Sequence, residues 1–501
     1  MVRSPRRQEH EGMDGSSGKR GGPARVASRL SGEDLAFWWF DSPMQPTTMA
    51  MLLVLDSPPE ELRLRLAFER AVTAVPRLAQ RVVDAPLDLT LPRWEFDPTF
   101  DLDYHVRRHP LCGRADMDEL FREVGPFYET AFDRSRPLWE ARLYDGLGPD
   151  HQSALFFKLH HAVADGVGGN AIFAALTDAE REPAEPAGGH APQVSTGAWA
   201  PQRLLGARVL DAIRDRVELD VERAAAVAGA VVKTIEHPAK VARLLPAIRS
   251  IIELMRFESQ SPLKNSAGRA RRLSSLDLPF AEIRRLKHQL GGSMIDVILT
   301  IMAQAIGKWY AAHRISKVRE LMTLVPVNLR KPDEWAAKPH VGNVATGILV
   351  PLPIRLADPL ATYREVHKRM EAKKADPLST ASPMLAELLS CLPHALVTWM
   401  AEATFGRVDF IITNIPGILM PRYLAGAEIV AAYPFAPVAM KSPVSVALYG
   451  YRDRLFVGLN SDDMLMPDID AFKGMIHEAF ERLRAAIGRR QSRTARRRRV
   501  P

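Results

Sequence analysis

The chain has 501 residues, of which 47% are apolar, a formal net charge of +8 and two cysteines. That length exceeds one ordinary core and the apolar fraction is ample, so at least two packed units are expected, and the widely separated Cys112 and Cys391 argue against a disulfide-stapled secreted fold and for a reduced cytosol. The charge sits at the ends: residues 1–29 hold seven basic and three acidic residues, residues 489–501 hold seven arginines and no acid, and residues 30–488 carry about −3, so the body is not a basic nucleic-acid surface.

Along the chain, the Gly/Ser/Arg composition of residues 1–28 reads as a disordered basic segment. Thr47 to Leu55 reads as a strand, Glu60 to Val75 as a helix, Trp94 to Arg108 as extended, Asp116 to Thr130 as a helix and Leu138 to Tyr144 as extended again. A buried strand over Ala154 to Phe157 leads to Lys158-Leu159-His160-His161-Ala162-Val163-Ala164-Asp165-Gly166, and the small residues Gly166 to Ala175 open a helix. Residues 181–202, rich in Pro, Ala and Gly, read as a linker. Leu204 to Phe257 reads as helical with breaks at Pro238 and Pro246.

The second half restarts near Ser261. Phe280 to Leu290, Asp296 to His313, Pro359 to Ala375 and Pro383 to Phe405 read as helices; Leu321 to Val327, Val344 to Leu352, Val408 to Thr413, Val444 to Tyr449 and Leu455 to Leu459 read as strands; Asp468 to Ile487 reads as a last helix. No repeat is visible in sequence, although the halves are alike in length and element content. No signal-peptide core opens the chain and no apolar run reaches the roughly 18–20 residues of a spanning helix, so any membrane contact is expected to be peripheral.

The doubled histidine is hard to explain as packing. It stands at a strand exit, where a rigid sheet can present an imidazole to a cleft and the following Asp-Gly can shape the supporting loop. Neighbouring side chains there point to opposite sides, so one histidine is expected to act and the other to support. An unperturbed imidazole titrates near about 6.5, which lets its neutral form take a proton from a hydroxyl. Other chemistries find less support. Gly166-Val167-Gly168-Gly169-Asn170-Ala171 satisfies a dinucleotide-loop pattern, but its helix runs into the proline-rich linker instead of a second parallel strand. No G-x-S-x-G elbow, Walker lysine motif or Cys/His metal cluster occurs.

The histidine motif resembles the HHxxxDG signature of CoA-dependent acyltransferases, condensation domains and bacterial wax ester synthase/diacylglycerol acyltransferases. The segment from Arg29-Leu30-Ser31 through Asp41 and Met49, Phe132-Asp133-Arg134-Ser135-Arg136-Pro137-Leu138-Trp139-Glu140, Gly342-Asn343, Thr413-Asn414-Ile415-Pro416-Gly417 and Tyr423-Leu424-Ala425-Gly426-Ala427 resemble the last of these, in its order, from about residue 29 to 487. The resemblance implies an α/β fold of two chloramphenicol-acetyltransferase-like subdomains with mixed sheets and an active site at their interface. The expected division is 1–28, a disordered basic segment; 29–180, the N-terminal subdomain; 181–260, linker and crossover helices; 261–487, the C-terminal subdomain; and 488–501, an Arg-rich tail.

Resemblance also implies the chemistry: acyl-CoA as co-substrate, no cofactor and no metal, diacylglycerol or a long-chain alcohol as acceptor, and His161 as general base in a direct transfer. His160, Asp165 and Gly166 are then supporting residues, with Asp165 holding the loop through an arginine. Pro137 and Trp139 are read as packing, and Asp296 and Asn414 as candidates for orienting substrate, Asn414 alternatively capping its own turn. Two positions depart from the family pattern: Ile295 stands where an Asn is usual, and Ile418 where a proline commonly follows Pro-Gly. The Arg-rich tail leaves a peripheral membrane or lipid-droplet surface open as a partner, while nucleic acid is not expected. The rival readings are a related HHxxxDG acyltransferase with another alcohol acceptor, and a lipid-surface binding protein with a weakened site.

Overall fold

The computed structural model describes residues 27–42, 45–111, 116–183, 205–236, 261–264, 268–328, 345–376, 406–438 and 442–498. The readings made for residues 1–26, most of the 181–202 linker, the helical stretch beyond residue 236, Gly342-Asn343, Pro383 to Phe405 and both cysteines lie outside these residues.

In chain order the first part holds β1 (Ala27–Arg29), α1 (Gly32–Phe40), β2 (Thr48–Leu55), α2 (Glu61–Ala74), β3 (Gln80–Val83), β4 (Arg93–Phe96), α3 (Leu102–His105), β5 (Val106–Pro110), α4 (Met117–Glu129), β6 (Trp139–Leu147), β7 (Gln152–His160), α5 (Gly166–Leu176) and α6 (Leu205–Glu236). The second holds β8 (Arg271–Pro279), α7 (Phe280–Leu290), α8 (Met294–Ala312), β9 (Glu320–Asn328), β10 (Ala345–Pro353), α9 (Pro359–Lys374), β11 (Phe410–Ile418), β12 (Tyr423–Leu424), β13 (Ala427–Phe435), β14 (Val444–Tyr451), β15 (Arg454–Asp462) and α10 (Ile469–Arg498).

These strands make two six-stranded sheets, ordered β12-β13-β2-β7-β6-β5 and β10-β9-β11-β14-β15-β8, and a small sheet β1-β4-β3. Both large sheets are mixed, since β5 runs parallel to β6, and β11 parallel to β9 and β14, while the other pairings are antiparallel. The fold is therefore the expected α/β pair of mixed-sheet halves. The sheets do not divide at one point in the chain, however. β13, from the second part, pairs with β2 and carries the short β12 on its other edge, so the sheet with the histidines takes two strands from 261–487.

Strands such as β7, β14 and β15 are buried along nearly their whole length because each lies between two others and is covered on both faces. Helix α8 starts from a capping box in which Ser293 and Asp296 satisfy each other's backbone N–H groups, and it runs through the second core with Val297, Leu299, Ile301, Met302 and Trp309 buried. Among the described residues no single helix is long and apolar enough to cross a membrane; α7 and α8 qualify only as a pair bent by 102°.

Several elements differ from the sequence reading. The extended stretch from Trp94 to Arg108 is broken by α3, whose first turn is capped by the Asp101 carboxylate accepting from Asp103 N–H. Strands β8 and β13 were not expected, because Arg271–Pro279 is half polar and Ala427–Phe435 is rich in alanine with a proline, so neither has a strong β composition. Strand β11 does not stop at Thr413: it continues through Asn414-Ile415-Pro416-Gly417 to Ile418, with a register shift against β14 where the proline and glycine interrupt the ladder.

Candidate functional site

Side-chain alternation along β7 sends Ala154, Phe156 and Lys158 towards α4, and Leu155, Phe157 and Leu159 into the core under α2 and α5. The two histidines part in the same way. His160 closes the strand with its ring enclosed at 1% exposure, beside the edges of Trp38 and Phe132. His161 begins the turn beyond, half-buried, with its N–H donating to Thr47 O at 2.9 Å and its ring stacked on Phe37 at 3.8 Å between centroids and 14° between planes.

The partners of His160 fix its tautomer. Ala162 N–H donates to Nδ1 at 3.0 Å, so Nδ1 must be bare and the ring proton sits on Nε2, which donates to Thr47 Oγ1 at 2.9 Å with Asp41 Oδ2 at 3.7 Å. His160 thus pins the histidine turn to the segment after α1. Burial pushes the Asp41 carboxyl up, but hydrogen bonds from His160, the Thr47 N–H and Arg134 outweigh it and hold the group at about 2.

Lys158 is fully buried on the same face. Its ammonium donates to Phe127 O and Thr130 O, both at 2.9 Å, and lies 3.4 Å from Glu140 Oε1 and over the rings of Phe127 and Phe132. It thereby closes the C-terminal end of α4, where carbonyls lack helical partners. Desolvation brings its pKa down to about 8 against the raising effect of Glu140. Glu140 stands opposite Lys158 in the β6–β7 register, and Trp139 opposite Leu159. The Pro-Leu-Trp-Glu and Lys-Leu-His-His segments are therefore cross-strand partners. Trp139 is fully buried, donates from Nε1 to Leu78 O at 2.7 Å and stacks on His105, which is the packing role expected of it.

After the histidine turn, Asp165 caps α5: its Oδ1 accepts from Gly168 N–H at 2.7 Å. Gly166 has no unusual backbone. A Cβ there would come within 3.1 Å of Ile415 Cγ1, so this glycine serves close approach to β11 of the other sheet. Asn170 Nδ2 donates to Pro416 O at 2.6 Å, and Arg422 donates to Thr177 Oγ1 and Ala174 O at 3.0 and 3.1 Å, so α5 is clasped by the second half at both ends. Asn414, next to Ile415, is exposed and pairs by backbone register with Leu448, so it lies inside a ladder and does not cap a turn.

Asp296 is placed elsewhere. It is fully buried, with Oδ2 accepting from Ser293 N–H at 2.8 Å and lying 2.9 Å from His367 Nδ1, both in the second half. Its evident task is to open α8. Ile295 is partly buried against the second core, which accounts for an apolar residue at that position. The structure thus brings His160, His161, Asp165, Gly166 and the Asn414 strand together at the junction of the sheets and gives Asp296 a helix-capping environment.

Residues not singled out from sequence complete the site. Tyr128 OH donates to Thr48 O at 2.8 Å, and Asn460 Nδ2 from the second sheet donates to Tyr128 OH at 2.9 Å, tying both halves to the strand beside His160. Phe37, Asp41 and Thr47 enter from the α1 segment. A lysine between Phe157 and Leu159 in an otherwise apolar strand was the one local signal for Lys158. Among the described residues no group of three His, Cys, Asp or Glu side chains is arranged to hold a metal ion.

Comparison with known proteins agrees with this geometry. Residues 30–298 match the model of the wax ester synthase/diacylglycerol acyltransferase catalytic domain, and residues 341–484 that of the WS/DGAT C-terminal domain. A putative diacylglycerol O-acyltransferase of Mycobacterium tuberculosis is 31% identical over 409 residues, 79% of each chain. A probable diacylglycerol O-acyltransferase of the same species is 28% identical over 89% of this chain and 93% of its own. Among solved structures, the wax ester synthase/diacylglycerol acyltransferase from Marinobacter aquaeolei superposes with a TM-score of 0.63 at 19% identity, covering 92% of this chain and all of that one. The first condensation domain of the calcium-dependent antibiotic synthetase gives 0.59 at 17% identity over 93% and 97%, a likeness of fold.

Proposed function

We propose, because the chain belongs to the wax ester synthase/diacylglycerol acyltransferase family, that it moves an acyl group from acyl-CoA to the hydroxyl of diacylglycerol or a long-chain fatty alcohol, with His161 as general base. One observation carries the assignment of the base. His160 has both ring nitrogens committed and is enclosed, whereas His161 is half-buried and sits where α5 meets the second sheet.

In this reading the neutral His161 imidazole takes the proton of the acceptor hydroxyl as its oxygen attacks the thioester carbonyl. The C–S bond then breaks and the CoA thiolate takes up that proton, leaving ester, free CoA and neutral histidine. Holding alcohol, imidazole and thioester together supplies much of the rate, which suits a site built between two clasped halves. Phe37 fixes the plane of the His161 ring, and Thr47 O fixes its backbone. No other cofactor is required by this chemistry. A water-insoluble acceptor further calls for work at a membrane or lipid-droplet surface.

The test uses purified protein with labelled palmitoyl-CoA and either dioleoylglycerol or hexadecanol, scored for neutral lipid and released CoA. Ester formation that is lost in His161→Ala supports the proposal. Absence of product with every long-chain alcohol, or full turnover in His161→Ala, overturns it.

A further inference from the structure

We propose that Asn460 and Tyr128 are positioning residues for the histidine turn, through which the second sheet sets where His161 stands. The proposal rests on His161 as the base, as read above. Where the chain enters β2, successive carbonyls point to opposite sides, and Thr47 O takes the His161 N–H at 2.9 Å on the β7 side. Thr48 O faces the other way, where the β13 ladder has already ended: its last pair is Phe435 with Ala50, two residues further along. The Tyr128 hydroxyl serves that carbonyl instead, donating to Thr48 O at 2.8 Å.

The hydroxyl is held in turn from the other sheet. Asn460 of β15 donates from Nδ2 to Tyr128 OH and to Ala436 O, both at 2.9 Å, and both side chains are buried. Ala436 O can only accept, so the orientation of the amide is set, and Oδ1 is enclosed with no donor among the described residues. An enclosed amide oxygen without a donor is destabilising. Ala436 O also has a second donor, Ser445 Oγ at 2.7 Å, so what depends on Asn460 alone is the link to Tyr128. The amide therefore serves the geometry of that link more than stability.

Tyr128 stands in the last turn of α4, which Lys158 of β7 grips at Phe127 O and Thr130 O, both at 2.9 Å. The two strands that meet at the histidine turn are thus fastened to one helical turn, β7 through Lys158 and β2 through Tyr128. A shift of the second sheet reaches His161 along Asn460, Tyr128, Thr48 and the adjoining Thr47 carbonyl. A general base must stand within hydrogen-bonding reach of the hydroxyl it serves, and a misplacement of about 1 Å can cost on the order of 100-fold in rate.

The experiment compares three variants of the full chain. Tyr128→Phe removes the hydroxyl and keeps the ring, Asn460→Leu keeps the volume and removes the amide, and Ser445→Ala takes the neighbouring bond from Ala436 O while leaving the Tyr128 link intact. Single-turnover rates with palmitoyl-CoA and hexadecanol are expected to fall about 10- to 100-fold in the first two and no further in their double variant, with the KM for palmitoyl-CoA unchanged. Ser445→Ala is expected to melt at a lower temperature and keep the wild-type rate. Independently of turnover, hydrogen exchange in the peptide spanning residues 158–166 is expected to quicken about tenfold in Tyr128→Phe and Asn460→Leu and to stay level in Ser445→Ala. Wild-type rate or exchange in folded Tyr128→Phe, additive losses in the double variant, or an equal rate loss in Ser445→Ala overturns the proposal. Should Asn460→Leu fail to fold, Tyr128→Phe, which lacks only one oxygen, decides by itself. An inactive wild type, or a fully active His161→Ala, counts against the proposed reaction alone, and the exchange measurement still decides the link.

Discussion

Lys158 Nζ lies 3.4 Å from Glu140 Oε1, directly across the β6–β7 ladder, and joins two segments that the sequence shows eighteen residues apart. Removing the charge leaves Glu140, Phe127 O and Thr130 O without their buried donor. Lys158→Met is therefore expected to lose about 2–4 kcal/mol of stability, read from urea midpoints, and addition of Glu140→Gln to recover part of it. The pH dependence has a definite sign. The folded pKa of about 8 lies below the ordinary lysine value of 10.5, so the folded state binds fewer protons between these values and gains stability as pH rises through that window. The stability gap between wild type and Lys158→Met should widen from pH 8 to 10.5, and a constant gap would remove the buried ammonium from the account.

Asp41 carries the same sign at the acid end of the scale. Its folded pKa is held at about 2, below the ordinary aspartate value of 3.8, so it contributes stability that is present above 3.8 and lost as pH falls towards 2. Two pKa units correspond to about 2 kcal/mol for a group this well covered. Asp41→Asn is expected to be less stable than wild type by about that amount at pH 7, with the difference shrinking below pH 4 in urea titrations. A difference that stays level to pH 3 would mean the carboxylate charge does not hold the His160 pin.

The two histidines are expected to fail differently. His160→Ala strips the partner from Thr47 Oγ1 and Ala162 N–H in a closed environment, so both stability, by about 1–3 kcal/mol, and kcat should fall. His161→Ala should lower kcat by about 100- to 10,000-fold with its melting temperature nearly unchanged, and wild-type turnover should decline towards acid pH as the base protonates. Thermal melts beside single-turnover rates separate the cases; an inactive but stable His160→Ala paired with an active His161→Ala would reverse the roles.

Much of this was legible in the sequence because strong periodicity and compact motifs survive without tertiary context. The alternation through Phe156-Phe157-Lys158-Leu159-His160 put the histidines on different sides, and Asp296 was read at the start of the helix whose capping box it shares with Ser293. What was not legible depends on partners distant in the chain. The alanines and Pro434 of Ala427–Phe435 dilute the strand signal of Ile429, Val430 and Tyr433, and the strand is held by pairing with β2 over 370 residues away. Asn414-Ile415-Pro416-Gly417 has the composition of a turn, yet β14 on one side and α5 on the other hold it extended. Asp296 is read from the sequence as opening its helix or orienting substrate, and its partner His367, seventy-one residues on in the second half, is not legible locally.

Gly417 and Gly166 are both motif glycines near the junction, and they should respond unequally to alanine. A Cβ on Gly417 would fall inside the van der Waals radius of Gly450 O, a backbone atom fixed in β14, so the ladder itself would have to open. Gly417→Ala is expected to cost about 3 kcal/mol or more and to lower soluble yield. At Gly166 the nearest obstacle is the Ile415 side chain at 3.1 Å, which can rotate, and the backbone there suits alanine. Gly166→Ala should cost less than about 1 kcal/mol while displacing Ile415 beside the His161 turn, so turnover should drop more than stability, and Ile415→Ala, which removes the γ-carbons in the way, should restore part of it. If Gly166→Ala instead unfolds the protein and Gly417→Ala is silent, the close approach that organises the junction has been assigned to the wrong glycine.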